Sequence, residues 1–284
     1  MVLGEISISF YAAAAGVVRH VLTRLGHAFE VRQGLHGEMF PLLASGEIDM
    51  LVAAWLPHGH ANFWSRYGRD AAPVGVLYRG AQFFWMVPRY VPDESVASVP
   101  DLIRPEILAR MDKQIPGLAP DIGLMINSAR MMEAYGLSAA GYRLLPGDYA
   151  GWIGNYERAL AENRWFIMPQ WKPQFVNRMH TMRTLEEPLE LLGAPNEGTL
   201  VARKDWIARA PAETLRVLGR MHLGLDAVSE MDYFVNVEKL PPVNAAQNPC
   251  IACGLSFEVR PVEHERASAY RVTNETPGRS GALT

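Results

Sequence analysis

Two short stretches carry side chains that could hold a ligand. "DMLVAAWLPHGH", residues 49–60, is an apolar run that ends on Trp55, with one residue between the tryptophan and a proline. "RWFIMPQWKPQF", residues 164–175, repeats that ending at Trp171. In an open parallel sheet, ligands bind outside the carboxyl ends of the strands. Two indoles placed there, one in each half of the chain, can close on a ligand from opposite sides. Facing aromatic surfaces in a dry cleft attract a cation whose charge is spread over methyl groups, at about 0.5–2 kcal/mol per contact.

The histidines and cysteines admit other chemistry. His58 and His60 stand two apart in "HGH", and with His36 they could form a metal cluster, or His60 could act as a general base. The preferred reading is one histidine in solvent and one hydrogen-bonded, with no metal. No nucleophile elbow, phosphate loop or HExxH is present, so the chain reads as a binder without a cofactor and not as an enzyme. Cys250 and Cys253 in "PCIACG" have the spacing of a redox pair or half a zinc site. No further ligands follow at metal spacing, although His264 lies downstream, so they read as a loop pair able to form a local disulfide if exported.

The elements that must position these residues alternate. "EISISF" reads as a strand, and "AAAAGVVRHVLTRLGH" as a helix stopped by Gly26. "FEVRQGL" is a second strand, "GEMFPLLASGEID" a short helix closed by Gly46, and "MLVAAW" a third strand. Strands separated by helices predict a parallel, two-sided α/β sheet. A further strand is expected over residues 80–91, where Pro88 marks a crossing out of a first lobe. Beyond it come a helix capped by Ser128 and ended by Gly136, a helix in "GWIGNYERALAEN", a strand "WFIM" and a return strand "TLVARKDW". A last helix is "PAETLRVLGRMHLGL"; from about residue 240 the chain turns rich in Pro, Asn, Gly and Ser and reads as loop.

Composition narrows the partners. The 284 residues exceed the usual single core, so two lobes are expected. Charged residues are 20% of the chain, with net charge −3 and scattered Lys and Arg, which excludes an electrostatic footprint for nucleic acid. Hydrophobic content of 49% suffices for a core, yet no apolar run reaches the roughly 20 residues of a membrane span. The N-terminus lacks a secretory signal pattern, so the chain reads either as cytoplasmic or as one whose leader was removed.

"ASGEIDMLVAAWLPHGHANFW", "GLAPDIGLMINSARMMEAYGL" and "RWFIMPQWKPQF" followed by "LEEPLELLG" resemble, in order, the motifs of the glycine betaine and choline binding proteins of ABC importers, from residue 5 to about residue 245. The resemblance implies an α/β, two-lobed periplasmic binding protein fold with a hinge and an interlobe cleft. Lobe one would be residues 1–88 plus 198–248, lobe two residues 89–197, and residues 249–284 a loop-rich tail. It implies Trp55 and Trp171 as cage walls around a quaternary ammonium. His60 and the backbone amides of Gly123 and Leu124 would hold a ligand carboxylate, as suits a helix N-terminus. The family's third cage tryptophan is missing, which leaves Phe10, Tyr11 or Tyr149 to substitute, while Phe175 retains a second aromatic on the Trp171 side. Asp121 lies in the turn expected to cradle the carboxylate. Either it repels that group, so that choline binds at least as well as betaine, or it caps the following helix. The implied partner is the membrane subunit of an ABC transporter, for a monomeric periplasmic protein; a cytoplasmic sensor on the same fold is the alternative.

Overall fold

The computed structural model describes residues 1–246. Cys250, Cys253 and the tail expected over 249–284 lie outside the described residues. The chain begins β1 (Val2–Ile6), α1 (Ser9–Arg24), β2 (Glu30–Gly34), α2 (His36–Ser45), β3 (Met50–Leu56), α3 (Ala61–Tyr67) and β4 (Ala71–Pro88). A 3-10 turn at Val99–Ile103 leads to α4 (Pro105–Leu108), β5 (Gln114–Pro116), α5 (Gly123–Ala134), β6 (Arg143–Leu145), α6 (Tyr149–Ala161) and β7 (Met168–Lys172). After a 3-10 turn at Phe175–Arg178 come β8 (Met182–Thr184), β9 (Asn196–Arg203), α7 (Lys204–Arg209), α8 (Ala212–Arg220), α9 (Leu225–Asn236) and α10 (Pro242–Ala246).

The opening alternation folds as its periodicity predicts, and β1 pairs in parallel with both β2 and β3. The rest of the sheet is antiparallel, which corrects the expectation of a parallel sheet. Its order is β2-β1-β3-β9-β4-β7, with β8 also on β4. The cause is β9, which returns late in the chain and inserts between β3 and β4, antiparallel to both. The strand expected at residues 80–91 is the second half of β4. Pro73, Gly75 and Gly80 punctuate its first half, but they sit at register shifts against β9, so the strand bends without ending. Its partner changes from β9 at Ala81 to β7 at Gln82, upstream of the crossing expected at Pro88.

Other boundaries move for local reasons. β7 starts at Met168, where "WFIM" was expected to end, so Trp171 stands inside an antiparallel strand and not at the end of a parallel one. α5 starts at Gly123, which puts Ser128 in its interior; the buried Ser128 hydroxyl accepts the Trp85 indole N–H at 2.9 Å and caps nothing. The Pro-rich stretch near residue 240 holds α10, which lies on α1 so closely that a Cβ at Gly16 would stand 2.9 Å from the Pro242 carbonyl oxygen.

One glycine organises the sheet beneath Trp55. Gly198 on β9 pairs with Trp55 on β3 and with Tyr78 on β4. The two aromatic side chains meet over it, the Trp55 indole N–H donating to the Tyr78 hydroxyl at 2.9 Å. A Cβ at Gly198 would fall 2.2 Å from the Tyr78 ring. Gly198→Ala is therefore expected to cost about 1–3 kcal/mol in denaturant unfolding, as overpacking does. Gly154→Ala, in α6 with nothing within 4 Å of an added Cβ, should gain about 0.5–1 kcal/mol. Equal effects at the two glycines would contradict this account of Gly198.

Candidate functional site

The carboxyl ends of β1 and β3 open on a small cavity with a mainly apolar lining. β3 delivers Trp55, and the turn after it delivers Gly59 and His60; Phe10 and Tyr11 come from the first turn of α1. Across the cavity, β4 and β7 supply Phe83 and Trp171, which face each other in register on adjacent strands. The start of α5 adds Ile122, Gly123 and Leu124, and the start of α2 adds His36. Ile8 and Leu118 complete the wall. None of these side chains carries a full charge at neutral pH.

One end of the cavity is aromatic. Phe10 stands between the two tryptophans, its ring 5.7 Å from Trp55 and 6.2 Å from Trp171. Phe83 lies 5.3 Å from Trp55. Behind Trp171 packs Trp152 at 4.8 Å, fixed in turn by its indole N–H on the Pro169 carbonyl. The Trp171 indole nitrogen is buried and has no hydrogen-bond partner among the described residues. An unmade bond of that kind costs about 1–3 kcal/mol, which a ligand acceptor could restore.

The other end presents donors. The Trp55 backbone N–H donates to His60 Nδ1 at 2.9 Å, while the His60 N–H donates back to the Trp55 carbonyl at 2.8 Å. A neutral imidazole that accepts at Nδ1 carries its proton on Nε2. That nitrogen lies 3.5 Å from the Tyr11 hydroxyl. Burial, and then the neighbouring His36, drive the His60 pKa well below the ordinary value, so the ring is neutral near pH 7. Burial alone lowers His36 to about 4 and raises Tyr11 well above the usual tyrosine range, with Tyr78 adding to the Tyr11 rise. As first-turn residues of α5, Gly123 and Leu124 have backbone N–H groups without an acceptor inside the helix, and the helix dipole favours an anion there. The start of α5 approaches the His60 turn closely enough that a Cβ on Gly123 would stand 2.5 Å from the Gly59 carbonyl oxygen.

Of the nine residues singled out in the sequence, seven line this cavity: Phe10, Tyr11, Trp55, His60, Gly123, Leu124 and Trp171. Tyr149 does not. Its ring is 6.4 Å from Trp171, and its hydroxyl is engaged by Ser9 at 3.3 Å and Gln174 at 3.4 Å, so it backs the site from outside. Asp121 is exposed and outside the lining, its carboxylate 3.6 Å from where a Cβ on Gly37 would stand. It does not cap α5, whose cap position is Ile122 without a side-chain bond. Phe175 is buried outside the lining. His58 is exposed, and among the described residues no three His, Cys, Asp or Glu side chains converge as metal ligands, so the HGH cluster does not assemble. Phe83 and the role of His36 as a wall were missed. Only the β4–β7 register reveals Phe83 opposite Trp171.

Behind the aromatic wall lies a buried acid. Asp232 of α9 accepts the Phe175 N–H at 2.6 Å and the Asn236 amide at 2.9 Å, and so ties the chain just after Trp171 to α9. Burial raises its pKa from 3.8 to about 7, against the lowering effect of bonds from Ser9, Phe175 and Asn236. The folded protein thus holds this proton more tightly than the unfolded chain does. The resulting stability is complete below 3.8 and is lost as pH rises through about 7. The stability of wild type relative to Asp232→Asn should therefore fall as pH is raised from about 4 to about 8 in denaturant melts. A difference between the two proteins that is constant with pH would show that Asp232 does not titrate in this range.

The sequence model of a family described as the substrate binding domain of the ABC-type glycine betaine transport system matches residues 1–248. Among solved structures, the chain is similar to lactococcal OpuAC in its closed, liganded conformation with glycine betaine: TM-score 0.76, 21% identity, 87% of this chain and 93% of that one. It is similar to the glycine betaine, L-proline-binding protein ProX of Borrelia burgdorferi, with TM-score 0.77 and 20% identity over 89% and 95% of the two chains. An ABC-transporter choline binding protein in complex with choline gives TM-score 0.73 and 16% identity over 87% and 86%. The fold is that of the two-lobed periplasmic binding proteins.

Proposed function

Because the chain belongs to the family of substrate-binding domains of ABC-type glycine betaine transport systems, we propose that it captures a quaternary ammonium compound bearing an acid group, glycine betaine foremost, between its two lobes. The observation that carries this reading is one uncharged cavity lined both by aromatic rings and by neutral donors. Phe10, Trp55, Phe83 and Trp171 offer ring faces to methylated nitrogen. His60 Nε2–H and the Gly123 and Leu124 amides offer donors to a carboxylate. A zwitterion satisfies both ends and brings no net charge into a buried space, where an uncompensated charge is costly. Choline would leave the donor end without an anionic acceptor, so the preference expected from Asp121 is reversed in this reading.

The protein acts here as a binder that presents its closed form to a membrane subunit outside the cytoplasm, and not as an enzyme. No helix among the described residues is long and apolar enough to cross a membrane. The hinge is assigned to β4 and β9, the paired long strands at the change of partner between Ala81 and Gln82.

Two variants test the site and its closure. Trp171→Phe keeps an aromatic face and removes the unpartnered indole N–H; it should weaken betaine binding by about 1–2 kcal/mol, read by calorimetry. An affinity equal to wild type would mean that this nitrogen does not meet the ligand. Gly123→Ala places a methyl group against the Gly59 carbonyl and should hold the lobes apart. Saturating betaine should shrink the radius of gyration of wild type in small-angle scattering and leave that of Gly123→Ala unchanged. Equal contraction of both would contradict closure at this contact.

A further inference from the structure

The donor end holds one side chain that the reading above does not use. His36 opens α2 and is buried, and its ring meets that of His60 edge to face at 4.8 Å. Both line the cavity. The other groups around His36 are Tyr11 of α1, with ring centroids 5.9 Å apart, and Phe63 of α3 at 6.2 Å. From the opposite lobe, the Asp121 carboxylate comes within 3.6 Å of where a Cβ on Gly37 would stand, beside the His36 backbone. On its own helix, Glu38 is committed to the Leu35 N–H at 2.7 Å. The His36 ring makes ring contacts with these neighbours and no hydrogen bond to a protein group among the described residues.

The two imidazoles are not equivalent. His60 already accepts the Trp55 N–H at Nδ1 and carries its proton on Nε2. A second proton could enter His60 only at Nδ1, which would break that bond and leave a buried backbone N–H unpaired. His36 has no such commitment, and its imine nitrogen can take a proton at no cost to the protein's own hydrogen bonding. Burial lowers its pKa to about 4, so near neutral pH it is uncharged, and an anion placed beside it draws the equilibrium toward the imidazolium.

We infer that His36 is a second acid-recognising residue of the pocket, and that an acid-bearing ligand is taken up together with a proton from solvent, which His36 receives while His60 stays neutral. This inference rests on the functional reading above. It has a consequence of opposite sign for two ligands. Betaine brings an acid group that stabilises the protonated ring; choline brings only a cation, which opposes it.

Tryptophan fluorescence titrations of wild type, His36→Gln and His36→Asn with glycine betaine and with choline, between about pH 5 and pH 8, test it directly. Wild-type affinity for betaine should rise as pH falls, while affinity for choline stays level or declines. Both variants should lose the betaine pH slope, and betaine should bind them about tenfold more weakly at the acid end, the effect of one charge-assisted hydrogen bond. Proton uptake by wild type, from calorimetry in two buffers of different ionisation heat, decides the matter even where a variant fails to fold. Betaine binding to wild type with no proton uptake and no pH slope, or an unchanged slope in a folded variant, would overturn the role of His36. Absence of betaine binding to wild type at every pH would overturn the functional reading itself, and this inference with it.

Discussion

The reciprocal bond between Trp55 and His60 is the constraint on which the site depends. The Trp55 N–H donates to His60 Nδ1, and the His60 N–H returns to the Trp55 carbonyl. This closes the turn after β3 and fixes the imidazole tautomer in one step. The same turn is held from behind by Asn196 at the start of β9, whose side-chain oxygen accepts the His58 and Gly59 N–H groups, each at 2.8 Å. β9 also supplies Gly198, over which the Trp55 indole and Tyr78 hydroxyl meet. The ring face and the Nε2–H thus issue from a single rigid corner of the sheet, whose backbone groups are satisfied without a ligand.

The opposite wall is less self-sufficient. Trp171 is packed on Trp152 and its strand is paired with β4, yet its buried indole N–H has no partner among the described residues. The α5 amides are likewise unpaired within their helix. Such groups weaken the folded state slightly and strengthen whatever closes on them, so stability and affinity are set against each other at the same atoms. A neutral cavity serves this arrangement. A carboxylate side chain in the wall would favour bare cations and an arginine bare anions, whereas aromatic faces and neutral donors favour a ligand that carries both charges at a fixed separation.

How much was legible follows the range of the forces involved. Trp55 and Trp171 stand out because local signals mark them, apolar runs that end in tryptophan with a proline soon after each, whereas His60, Gly123 and Leu124 are reached only through the resemblance to the betaine and choline binding proteins. Lobe organisation followed from the alternation of strands and helices and from the resemblance to the betaine and choline binding proteins. Phe83 was hidden, since its facing Trp171 depends on a register between strands far apart in sequence. β4 was cut short because Pro73, Gly75 and Gly80 look like an end until β9 is seen to accommodate them as bulges. By residue type Ser128 and Asp121 are both capping candidates, yet one is recruited by Trp85 from a distant strand and the other lies exposed beside Gly37. Side-chain direction at a helix start is decided by what packs there, and that is not written in the local sequence.

The central claim is that the two ends of one uncharged cavity read the two charges of one ligand. It is tested most directly by calorimetric titration of the protein at neutral pH with glycine betaine, with choline, which keeps the methylated nitrogen and lacks the acid, and with glycine, which keeps the acid and lacks the methyl groups. The account predicts one-site binding of betaine that is stronger than that of either part, by at least about tenfold for each missing end. Choline binding as tightly as betaine, or glycine doing so, would contradict it.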